Sequence, residues 1–139
     1  MALDLSSLRK AITSLENALN ISAPDRLQSM PDDQQEVIKA GVIQNFEFTY
    51  ELCWKFMKRW LGKNLGAAYV DGVSRRELFR LSAESKLIND VDRWLEYHDA
   101  RNETSHTYDQ DTAEDIFQIA RTFFPDAQKF LNTLEEKND

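Results

Sequence analysis

A single cysteine, Cys53, leaves this 139-residue chain no intramolecular disulfide to form, which points to a reducing, cytoplasmic setting. Glycine (four) and proline (three) are equally scarce, and no segment is of low complexity, so long helices with short connections are expected. No run approaches the roughly 20 apolar residues of a membrane span, so no membrane association is expected. The opening MALDLSSLRK also lacks the basic start and apolar run of a signal peptide. Two histidines and one cysteine form no recognised ligand spacing, and no glycine-rich loop is built to cradle phosphates, so neither a metal nor another cofactor is expected. Positive charge is in deficit as well. Lys+Arg number 17 against 24 Asp+Glu, a formal charge of −7, which makes a weak overall field for nucleic acid while leaving a local basic site open. What the chain does have is apolar material, 42% of its residues. That is enough for one domain over residues 1–139 to bury its own core.

The apolar residues recur with helical period. Leu5, Leu8, Ile12, Leu15 and Leu19 mark a first amphipathic helix over about residues 4 to 21. SAPDRLQSMPDD, with two prolines, reads as a connection. Pro31 and the acids after it suit the start of a second and longest helix, running to about Leu61. On it Phe46, Tyr50, Cys53, Met57 and Trp60 form one stripe, widened by Ile43, Trp54 and Leu61, which makes Cys53 a packing residue. Gln44, Glu47, Glu51, Lys55 and Lys58 form a polar stripe beside it. That stripe is either a solvated face held by pairs such as Glu51–Lys55, or a place where Glu47 and Lys55 border a functional cleft. GKNLGAAYVDG is a glycine-rich loop, and Ser74-Arg-Arg-Glu77 has capping-box spacing for a third helix to about Lys86. Asn89 or Asp90 can cap a fourth helix, and Asp111-Thr-Ala-Glu114 a fifth. The core face of the fifth is Ile116, Phe117, Ala120, Phe123, Phe124, Ala127, Leu131 and Leu134, with Pro125 expected to kink it. No segment alternates as a strand should. The fold class is an all-α, five-helix up-and-down bundle.

The stretch RNETSHTY, residues 101 to 108, closes the fourth helix. Val91, Trp94, His98, Arg101, Ser105 and Tyr108 form one row, and Ile88, Leu95, Asp99, Asn102 and His106 the next. Both rows begin apolar and end polar, so the motif continues a core-facing surface, and its polar groups need partners in a cleft or a second subunit. Arg101 and His106 stand about 140° apart on a straight helix, an angle that a helix ending early or a two-fold partner would recover. Two ordinary readings compete with a site: a histidine capping a helix end, and Arg101 paired with Asp99 or Glu103.

R-N-x-x-x-H, here Arg101, Asn102 and His106, resembles the signature of the HEPN superfamily, small helical domains often encoded beside a minimal nucleotidyltransferase. The extension to Tyr108 resembles the toxins of HEPN–nucleotidyltransferase toxin–antitoxin pairs. FEFTYELCWK, residues 46 to 55, is similar to the other recurrent block of the branch called nucleotidyltransferase substrate-binding proteins. The resemblance covers nearly the whole chain and implies a homodimeric bundle, metal-independent endoribonuclease activity on an RNA substrate, and a partner nucleotidyltransferase encoded by a neighbouring gene. It assigns His106 as acid/base, Arg101 as phosphate clamp, Asn102 as orienting hydrogen-bonder and Tyr108 as the residue that receives AMP. These roles suit the residue types, since imidazole exchanges protons near neutral pH and guanidinium stabilises charge on phosphate. A second reading belongs to the same branch: a non-catalytic substrate-binding subunit of a split nucleotidyltransferase, whose acidic surface suits a small cationic substrate.

Overall fold

The computed structural model, which describes residues 2–138, is helical throughout, with no strand among those residues. Six α-helices follow one another: α1 (Ser6–Ile21), α2 (Pro24–Gln28), α3 (Asp32–Leu65), α4 (Arg75–Glu84), α5 (Val91–Asn102) and α6 (Gln110–Lys137). Single 3-10 turns cover Ala67–Tyr69 and Glu103–His106. The five expected helices are all present. The sixth, α2, lies inside the stretch expected to be a plain connection; Pro24 opens it at a first-turn position where a missing N–H costs nothing, and Leu27 is buried.

Other boundaries moved for local reasons. Helix α3 runs one turn past Leu61, through Gly62, and stops where Gly66 takes φ 110°, a conformation that side chains disfavour. Ser74 caps α4 by accepting from the Glu77 N–H at 3.1 Å, but the Glu77 carboxylate turns to Arg80 instead of back to the cap. Asp90 caps α5, accepting from the Arg93 N–H. The cap of α6 is Asp109, not Asp111: its Oδ2 accepts from both the N–H and the hydroxyl of Thr112. Helix α6 continues through Pro125, whose ring is exposed.

Helices α1, α3 and α6 pack mutually, and α4 and α5 close the remaining side of α3. One core serves all of them. Phe123 on α6 is its hub, at 5.1 Å from Phe46 on α3, 5.0 Å from Tyr97 and 5.8 Å from Trp94 on α5 (ring centroids, edge-on). Edge-to-face rings of this kind prefer fixed angles, so the cluster sets the register of α5 against α3. That register brings the end of α5 over the middle of α3.

Candidate functional site at the junction of α3 and α5

Arg101 does not pair with its helical neighbours Asp99 or Glu103. Its Nε donates to Glu51 Oε1 on α3 at 2.7 Å, while Glu51 Oε2 accepts from the Trp54 indole N–H at 3.0 Å. Glu51 is therefore not free to pair with Lys55 as the polar-stripe reading had it. An exposed i,i+4 pair is worth only a few tenths of a kcal/mol, ~0.3–0.5, and a charge-assisted bond to a guanidinium two-thirds out of water outweighs it. Because Glu51 engages the inner nitrogen of Arg101, both outer amino groups are left for another anion.

A second chain of contacts lies beside the first. The Asn102 amide nitrogen is 3.4 Å from His98 Nε2, and His98 Nδ1 is 2.9 Å from the Tyr50 hydroxyl. With the amide donating to Nε2, the ring proton sits on Nδ1 and is donated to Tyr50. Burial, and next the Arg75 guanidinium, push the His98 pKa below the ordinary histidine value. Burial also pushes the Tyr50 hydroxyl well up. Arg75, at the start of α4, lies 3.6 Å over the Trp54 ring. Two arginines, two aromatics and one carboxylate thus converge from three helices.

Helix α5 stops at Asn102, and a 3-10 turn carries the rest of the motif. The Thr104 hydroxyl sits between the Glu47 carboxylate and the Arg101 carbonyl, 2.7 Å from the latter, so it caps α5 and fastens the turn to α3. Glu47 thus lies beside the turn that carries the end of the motif. Lys55, 5.7 Å from the Trp54 ring, lines a cleft whose walls include neither Glu47 nor Arg101. His106, the last residue of the turn, and Tyr108 just after it stand in solvent, their rings edge-on with centroids 6.0 Å apart. Tyr108 is 84% exposed and is not packed against α6. Within one chain, then, Arg101 and Asn102 join the α3 network, and the exposed His106 ring sits against Tyr108 with no hydrogen bond to that network.

Cys53 is fully buried, and burial pushes its thiol pKa up, which suits packing and not nucleophilic work. Among the described residues no cluster of three or more His, Cys, Asp or Glu is arranged to hold a metal ion, and no helix is long and apolar enough to cross a membrane. Sequence reasoning placed Glu51, Tyr50, Trp54 and His98 on their helices without linking them to Arg101, and it missed Arg75. Only His98, one turn before Arg101 on the same row, carried a visible signal.

Residues 3–136 match the family described as nucleotidyltransferase substrate binding protein like. The chain is 34% identical, over 98% of its length and 94% of the relative's, to a Haemophilus influenzae protein named "Probable ribonuclease HepT". It also superposes, with a TM-score of 0.88 and 34% identity, on a solved Haemophilus influenzae structure described as revealing the fold of a substrate binding domain of a nucleotidyltransferase. That match covers 95% of this chain and 99% of the other. A Thermus thermophilus crystal structure is similar at TM-score 0.73 and 26% identity, over 91% of this chain and 98% of the other.

Proposed function

The chain belongs to the nucleotidyltransferase substrate binding protein like family, and from that membership we propose that it is a HEPN-type toxin: a metal-independent endoribonuclease that a partner minimal nucleotidyltransferase silences by adding AMP to Tyr108. The observation that carries the reading is the state of Arg101. Glu51 fixes the guanidinium by its inner nitrogen, leaving the outer pair to grip a phosphate in the fork geometry that suits arginine. The similarity to a protein named as a ribonuclease supports it.

In this mechanism the ribose 2′-hydroxyl attacks the adjacent phosphorus and the bond to the 5′ oxygen breaks. The hydroxyl proton must leave and the 5′ oxygen must gain one. His106, whose exposed ring makes no hydrogen bond among the described residues, performs one of these transfers, while Arg101 stabilises the charge that develops on the phosphoryl oxygens. Asn102 orients the groups beside it through His98.

Because no contact joins His106 to Arg101 in one chain, the working unit is a homodimer in which a second copy supplies a complementary set across a two-fold axis. Val37 and Phe48, 71% and 58% exposed on α3, support such a contact. They are eleven residues apart and nearly in line along the helix. AMP transferred to the Tyr108 oxygen would put a bulky phosphodiester next to His106.

The alternative, a non-catalytic binding subunit of a split nucleotidyltransferase, draws support from the net charge of −7 and from the match to a structure described as a substrate binding domain. Expression of this chain alone in a bacterial host separates the two. A toxin arrests growth and co-expression with the neighbouring nucleotidyltransferase restores it, whereas normal growth at high expression contradicts the toxin reading.

A further inference from the structure

Beside Trp54, a cleft of about 320 Å³ is lined by Trp54, Lys55, Lys58, Arg59, Gly62, Ala67 and Val70. Three of these residues are cationic and none is acidic, on a chain of net charge −7. The loop after α3 forms the apolar floor, with Val70 close against Gly62.

Arg75 adds a fourth cation from α4, over the Trp54 ring at 3.6 Å. Its buried Nε has no hydrogen-bond partner. Among the described residues Arg9, Lys39, Arg80, Arg93 and Arg101 all form ion pairs, and Lys55, Lys58, Arg59 and Arg75 do not. Lys55 lies 5.7 Å from the Trp54 ring and Arg59 4.9 Å from that of Phe56, so these cations border aromatic surface without being neutralised. Three unpaired cations therefore line one cleft beside an exposed aromatic edge, with a fourth, Arg75, at its rim. Trp54 joins the cleft to the site already described, since Arg75 lies over its ring and its indole N–H donates to the Glu51 carboxylate that holds Arg101.

We propose that the cleft formed by Trp54, Lys55, Lys58 and Arg59, with Arg75 at its edge, is a single-stranded RNA subsite leading the strand to Arg101. Single-strand binders combine cations that track the backbone with an aromatic face for a base, and both are present here. The cations sit one helical turn apart along α3 (Lys55, then Lys58 and Arg59), so successive phosphates meet successive turns. The inference rests on the ribonuclease reading for the identity of its ligand.

The test uses full-length protein carrying His106→Ala, so that bound RNA stays intact, with and without Lys55→Gln and Lys58→Gln together. Both lysines are exposed, and a thermal melt checks that the fold is kept. Binding of a fluorescein-labelled oligouridylate of about 12 nucleotides is followed by anisotropy between about 50 and 200 mM salt. The expected result is affinity at least about tenfold weaker and a salt slope shallower by about 1.4, two phosphates at about 0.7 each. Equal affinity and slope in both proteins overturns the proposal, as does a failure of every form to bind RNA. Loss of the partner nucleotidyltransferase from the double variant, with RNA binding intact, overturns it too and makes the patch a protein interface. If RNA binds through the lysines and wild-type protein never cuts it, the ribonuclease reading fails and the subsite stands.

Discussion

Replacing Glu51 tests how the site is held. Its carboxylate accepts from Arg101 at 2.7 Å and from Trp54 at 3.0 Å. The two charged side chains are 34% and 28% exposed, so the pair lies between a surface bridge, about 0.2–1 kcal/mol, and a buried charge-assisted bond, about 1.5–3 kcal/mol. About 1.5 kcal/mol is a fair central value for the pair, and the Trp54 bond adds about 0.5. Glu51→Ala should therefore cost about 2 kcal/mol and lower Tm by about 7 °C in a chain of this size. Glu51→Gln keeps neutral acceptors and should lose about half of that. On RNA, Glu51→Ala should lower kcat about tenfold, because a freed guanidinium no longer waits in position. KM should hold or fall, since a carboxylate that repels phosphate is gone. Calorimetry and steady-state cleavage give both numbers. An unchanged Tm, or a loss expressed entirely in KM, would refute the positioning role.

Three further outcomes follow from the same geometry. Light scattering at micromolar concentration should give the mass of a dimer, and a monomer would remove the second copy on which His106 depends. Co-expression with an active partner nucleotidyltransferase should add AMP mass to the peptide containing Tyr108, and Tyr108→Phe should keep toxicity while escaping neutralisation; an unmodified intact mass would count against the modification. His98 is held below the ordinary histidine pKa by burial and by Arg75, with Glu51, Asp99 and Arg101 also nearby. Above about pH 6.5 folded and unfolded chains both leave it neutral; as pH falls below that, the unfolded chain takes up the proton first. Stability is thus fully present above that pH and is lost on acidification, and chemical denaturation should show a steeper loss between pH 7 and 5 for wild type than for His98→Gln.

Much of the fold was legible because long helices with one buried face announce themselves. Most stripe residues of α1, α3 and α6 are buried; Ala11, Val42, Thr49, Phe56 and Phe130 are buried outside the expected stripes, and Trp54, Trp60 and Phe124 are only half-buried. Helix α2 was not legible, since five residues are too few to show a period. The extra turn of α3 was hidden by Gly62, which reads as a loop residue but lies where Val70 packs close. The site divides the same way. Arg101, Asn102, His106 and Tyr108 are adjacent in sequence and could be read together. Glu51 lies fifty residues from Arg101 and Arg75 on another helix, so only tertiary packing around Phe123 joins them. Local spacing favoured Glu51–Lys55; the long-range partner won because its guanidinium is shielded from water.

Incubating purified protein with single-stranded RNA in EDTA, then mapping the new ends, tests the ribonuclease reading most directly. The reading gives cuts ending in 2′,3′-cyclic phosphate for wild type, and none for a folded His106→Ala protein with unchanged Tm. Cleavage that survives His106→Ala, or that vanishes with EDTA, would contradict it.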